Sequence, residues 1–362
     1  MMLIVTLRRA LQTRYGADGY TQIRNALESF ADSASATLVA LDDNTDMSKF
    51  SLPAAASTDA GSLLLSIRAL RRALGNVDSL LLLGGDSIVP FWQLTNPVPD
   101  RSVDPDPVVF SDNPYASMTE TLEDYLAPSL PLGRLPDSSR GSTQDFVALI
   151  NAATNNRRNR PVRQRAATLV NTDWSDPSQR VAASLPAPVD WHFSPGYCVD
   201  RTTQADMNRE FLYFNLHGFT GKPEWKGYDS VRDQFVVAAT TDGFDRQYVS
   251  GAVVFAENCY GAEIAGRTPA NSCALKLVHE GAAFIGATGL AFGSHVAPGF
   301  LLEDADMLAS SFWGAYASGG VPLGAALSQA RTDYAATDSA GNNPYKQKTL
   351  LQFVLLGDPG WN

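Results

Sequence analysis

The sequence is poor in sulfur and in imidazole. Three cysteines (Cys198, Cys259, Cys273) and four histidines (His192, His217, His279, His295) serve 362 residues. So odd and sparse a cysteine set excludes a disulfide framework, and no two of these seven residues show zinc-ligand spacing. Positive charge is also short. There are 28 Lys+Arg against 38 Asp+Glu, a net charge of −10. That argues against sequence-independent nucleic-acid binding, which needs a basic face for phosphates. Long apolar runs are missing as well. The first, ahead of Arg8 and Arg9, is about six residues, too short for a signal-peptide core and without basic residues before it. The uncharged stretch Gly281–Leu302 holds six residues of Gly or Pro, so it reads as a buried strand and a Gly-rich loop rather than a membrane helix. The expectation is a soluble, cytoplasmic chain with no membrane partner. Neither G-x-G-x-x-G nor a Walker loop occurs, and no G-x-S-x-G elbow occurs.

What is there is ordinary globular composition, 44% apolar and 18% charged, enough for one large domain or two. Strand-length apolar runs alternate with helical patterns. The runs are Thr37–Leu41, Ser79–Leu83, Ser129–Leu135, Ala167–Asn171, Val189–Phe193, Leu212–Leu216, Ala252–Ala256, Ala282–Ala287 and Gln352–Leu356. Unbroken Val/Ile/Leu/Phe runs indicate strands covered on both faces, hence an α/β fold with a mostly parallel sheet. The five arginines of 155–165 read as an exposed connector. The expectation is two sheets side by side: a smaller α/β subdomain over 1–155 and a six-stranded one over 156–362.

Ligands of parallel sheets bind at the carboxyl ends of strands. His217-Gly218 follows the run at 212–216, and Glu257-Asn258-Cys259 follows the run at 252–256. On neighbouring strands about 5 Å apart, the two would face one crevice. An imidazole beside a thiol supplies a nucleophile and then a proton for the leaving amine. Gly218 has no side chain, so its N–H and that of Cys259 would suit an oxyanion.

N-L-H-G and F-A-E-N-C-Y-G-A in these places resemble the caspase-like cysteine peptidases of clan CD, most closely the gingipain family. LLLLGGDSIVPF, SDNPYA, LPLGRLP, GAAFIGAT and LLQFVLLGDP extend the likeness in the family's order over roughly residues 79–360. The resemblance implies a three-layer α/β/α sandwich preceded by a smaller subdomain, no cofactor, no metal, and protein or peptide substrates. It makes Cys259 the nucleophile and His217 the base and acid. Asp173 stands where gingipains carry a Glu that orients the histidine, a shorter reach; a helix N-terminal acid fits the position equally. Glu257, two before the nucleophile, would line the first specificity pocket. Asp176 corresponds to a second pocket acid, or to a helix cap before Pro177. Phe292, in the loop after the fifth strand, would form a wall, with His295 close by. These acids suggest cleavage after Arg or Lys; Arg180 keeps an Asp-preferring enzyme open. If Arg is preferred, the connector's arginines are an internal substrate. The alternative from another class is an inactive caspase-like interaction module. Caspase-like folds in prokaryotic death and anti-phage defence suggest a dedicated target protein, by analogy alone.

Overall fold

The computed structural model describes residues 1–294, 302–337 and 343–362. Its strands are β1 (Met2–Thr6), β2 (Thr37–Ala40), β3 (Ser79–Leu83), β4 (Trp92–Thr95), β5 (Val108–Ser111), β6 (Leu132–Leu135) and β7 (Ala166–Asn171). They continue as β8 (Val189–Ser194), β9 (Phe211–Asn215), β10 (Trp225–Asp229), β11 (Gln234–Ala239), β12 (Val253–Ala256), β13 (Ala283–Ala287) and β14 (Phe353–Leu356). Strands such as β3, β9 and β12 are buried at every residue, as expected of a sheet covered on both faces.

The expected pair of sheets is in fact one. Ten strands form a single sheet in the order β2-β1-β3-β6-β14-β13-β12-β9-β7-β8. The six strands from β7 onward lie together as expected, and β14 joins them to the N-terminal four. Only β14 runs against its neighbour β13, while it is parallel to β6, with Leu356 beside Arg134. The reason is physical: a separate sheet would leave the β6 edge unpaired. Gly133 permits the junction, since a Cβ there would lie 2.4 Å from the Gly357 carbonyl oxygen. Two apolar clusters run through both halves, one from Leu3, Leu82 and Phe146 to Phe214, Val254 and Phe284, the other from Val109 and Leu126 to Phe255 and Trp313. Helices Arg8–Ala34 and Thr143–Asn159 pack together, as do helices Asp304–Ala317 and Leu323–Ala336. β4–β5 and β10–β11 form two antiparallel hairpins outside the sheet, which the sequence pattern did not announce.

The Arg-rich connector differs from expectation. Helix Thr143–Asn159 runs through position 155. Arg158 and Arg165 are exposed as expected, while Arg157, Arg160 and Arg163 are partly buried by their partners. Arg157 binds Asp358, Arg160 reaches Glu210 at 3.0 Å, and Arg165 meets Asp190 at 2.7 Å. Buried Glu210 also accepts the N–H groups of Arg163 and Gln164. Acidic partners on neighbouring segments, invisible in the local pattern, hold the segment down.

Candidate active site

β9 and β12 are adjacent and parallel, with Phe214 beside Ala256, so the loops after them leave the sheet side by side. Asn258 links the two: its Oδ1 accepts the Leu216 N–H at 3.0 Å. His217 is held by two backbone hydrogen bonds to Lys226 at the start of the β10–β11 hairpin. Gly218 is pressed against the other loop, where a Cβ would sit 1.8 Å from the Cys259 carbonyl oxygen. No larger residue fits. Among the described residues, neither the Gly218 nor the Cys259 N–H has a backbone acceptor.

His217 and Cys259 line one cavity of about 220 Å³ with Trp174, Pro177, Asn215, Leu216, Glu257, Ala291, Phe292, Gly293, Ser294, Ala305 and Asp306. Cys259 Sγ lies 3.3 Å from the Ala291 carbonyl and accepts the Ala291 N–H at 3.4 Å. Burial pushes the thiol upward from its ordinary range, while the Ala291 N–H and the Lys348 charge oppose that. Burial lowers His217, with the Asp173 carboxylate opposing. Both shifts favour a resting pair of neutral thiol and neutral imidazole.

The cavity also holds two buried acids. Tyr213 donates to Glu257 Oε1 at 2.7 Å. Asp306 Oδ2 accepts the Ser294 N–H at 2.6 Å, and Oδ1 lies 3.5 Å from the Asn215 amide. Burial raises Glu257 well above the usual carboxyl range, and the facing Asp306 adds to it; burial raises Asp306 too. Both shifts favour the protonated, neutral carboxyl. Glu257 Oε2 has no hydrogen-bond partner among the described residues, so an ionised Glu257 has no donor there. A buried carboxylate in that state needs a cation.

The structure therefore brings His217, Gly218, Cys259, Glu257 and Phe292 together. Asp173 is exposed and acts on His217 through its charge, within a second cavity that the two residues share. Asp176 does not line the 220 Å³ cavity; it lies on helix Ser175–Ala182, half exposed, with Arg180 at 3.3 Å. Arg180 is absent from that wall as well, though its charge reaches Asp306 and opposes the rise that burial causes there. His295 lies outside the described residues. His192 stacks on Tyr197 at 4.1 Å, His279 closes helix Cys273–His279, and Cys273 is buried. Asp112 accepts from fully buried Arg134 through both carboxylate oxygens.

Sequence reasoning missed Asp306, Trp174 and a buried support. Lys348 is fully buried between Asp104 and Asp106, 2.9 Å from the latter. Asp106 in turn accepts the Leu290 N–H and the Tyr260 hydroxyl, each at 2.8 Å. This network anchors the loop that presents Ala291 to the thiol. Tyr260, directly after Cys259, has a left-handed backbone (φ +55°), a strain of about 1–3 kcal/mol that its surroundings must hold. Charged residues inside helical patterns carry no local sign of burial, so no sequence signal marked them.

A solved structure described as "Structure of Protease" superposes with a TM-score of 0.61 at 12% identity, covering 99% of this chain and 77% of that chain. At that identity the likeness is of fold. No curated protein matches the chain. The model of Peptidase family C25 matches residues 2–362, the site included. With that match spanning nearly every residue, the chain belongs to peptidase family C25, the gingipain family of clan CD, and is a cysteine peptidase, a hydrolase of peptide bonds.

Proposed function

We propose that this peptidase is an endopeptidase that cleaves proteins after Arg or Lys through Cys259 and His217. The observation that carries the residue preference is the Glu257–Asp306 pair in the cavity that also exposes the thiol and the imidazole. An arginine or lysine side chain entering the cavity favours ionisation of the acids and pairs with the carboxylates.

The chemistry follows from the neutral resting pair. His217 takes the thiol proton as Cys259 Sγ attacks the scissile carbonyl and the C–S bond forms. The Gly218 and Cys259 N–H groups receive the developing oxyanion. As the C–N bond breaks, the imidazolium gives its proton to the leaving amine. Water, deprotonated by the same imidazole, then hydrolyses the thioester and restores the thiol. Asp173 biases the imidazole through its charge. The target is a protein; a dedicated one in a cell-death or defence pathway is the expectation that fold analogy carries, in a cytoplasmic setting. Among the described residues no helix is long and apolar enough to cross a membrane.

The test joins a peptide panel to thiol labelling. Cleavage is expected after Arg and Lys, with iodoacetamide modifying Cys259 faster than Cys198 and Cys273 and His217→Ala removing that difference. Faster cleavage after Asp would overturn the basic preference, and equal labelling of all three thiols would overturn the dyad.

A further inference from the structure

His217 is a wall between two cavities. The far one, of about 550 Å³, is lined by Asn171, Asp173, Trp174, His217, Tyr228, Asp233 and Phe235. It shares His217 and Trp174 with the cavity of the acid pair. Its walls are aromatic rings set at an angle to one another: Trp174 lies 4.3 Å from the imidazole and Phe235 5.0 Å, with Tyr228 5.3 Å from Phe235. Phe235 is 48% exposed, an open apolar face on a hairpin that the fold does not bury. Two carboxylates flank the rings, Asp173 and Asp233, the latter accepting the Tyr228 hydroxyl. No Lys or Arg stands among the lining residues.

Proton delivery fixes what passes this place. The imidazole must reach the leaving nitrogen, so the residue that begins the leaving fragment lies against His217. The side chain before the cut occupies the cavity on one side of the ring, which leaves the other cavity for the side chain after it. Aromatic faces with carboxylates at their rim attract a guanidinium or ammonium group.

We infer that the aromatic and acidic cavity beside His217, on the β10–β11 hairpin, is the subsite for the residue immediately after the scissile bond and selects Arg or Lys there. This rests on the dyad and pocket reading above, and with it the enzyme cuts between two basic residues. Charge at this exposed rim is screened by salt, so the selection weakens as salt rises, while discrimination before the cut, made by buried acids, persists.

The experiment uses internally quenched peptides with Arg fixed before the cut and Arg, Lys, Ala, Leu or Asp after it. Arg and Lys are expected to exceed Ala and Leu about tenfold in kcat/KM and Asp by more. In Asp233→Asn, which keeps a residue tolerant of the left-handed backbone at φ +52°, the advantage should shrink several-fold while Arg-against-Asp discrimination before the cut is unchanged. Phe235→Ala should act likewise. Uniform cleavage whatever follows Arg overturns the subsite and leaves the dyad reading standing. No cleavage of any peptide, with Cys259 labelled no faster than the other thiols, overturns both.

Discussion

At the residue scale the site depends on a few side chains, and on the lack of one. Gly218 lies so close to the Cys259 carbonyl that a methyl group cannot be placed there. Gly218→Ala should lower kcat/KM by about 100-fold or more through displacement of the His217 and Cys259 loops, with an unchanged circular dichroism spectrum; an active Gly218→Ala enzyme would contradict the packing. The acid pair sets a pH dependence. Glu257 and Asp306 hold a proton that the unfolded chain has already released, so their contribution to stability falls as pH rises above the ordinary carboxyl range. A bound cation expels that proton, so KM for Arg and Lys substrates should rise as pH is lowered. Glu257→Gln should flatten both dependences and raise KM for those substrates about tenfold or more, read by initial rates and by melting across pH. Of these residues His217, Gly218, Cys259 and Glu257 were legible in the sequence because they end strands. Asp306 was not, because it lies in a helix whose only link to the site is tertiary.

At the element scale, loops are held by groups from far along the chain. Lys348 belongs to helix Pro344–Gln352 yet lies between Asp104 and Asp106 with no solvent exposure. Burial works against the Asp106 charge, but the Leu290 N–H, Lys348 and Tyr260 outweigh it and keep that carboxyl low. Lys348→Met strands two acids and should destabilise by about 3–5 kcal/mol, measured by denaturant unfolding; a neutral result would show that the ion cluster is dispensable. The connector illustrates the same point. Its arginines looked solvated in sequence, but Glu210 grips the backbone at Arg163 and Gln164. Self-cleavage there should be slow in the native enzyme and speed up several-fold in Glu210→Ala, followed by gel and mass spectrometry, with the cut absent in Cys259→Ala.

At the scale of the whole molecule, one sheet and both of its apolar clusters cross the midpoint of the chain. The halves should therefore unfold together. A single denaturant transition is expected, coincident by fluorescence and circular dichroism; two resolved transitions would mean that the β6–β14 seam is weak. The sequence by itself determined nine of the ten strands of the main sheet, because burial on both faces leaves unbroken apolar runs; it did not announce β1 or the two hairpins. It also determined where chemistry sits, since a His and a Cys after two such runs must emerge at one end of a parallel sheet. Only the tertiary structure decided the fusion of the two halves, the partnership of Glu257 with Asp306, the burial of Lys348 and the aromatic surround of His217. Those contacts join residues far apart in the chain, and nothing in a local pattern records which distant segment will supply the proton, the charge or the ring that a buried group requires.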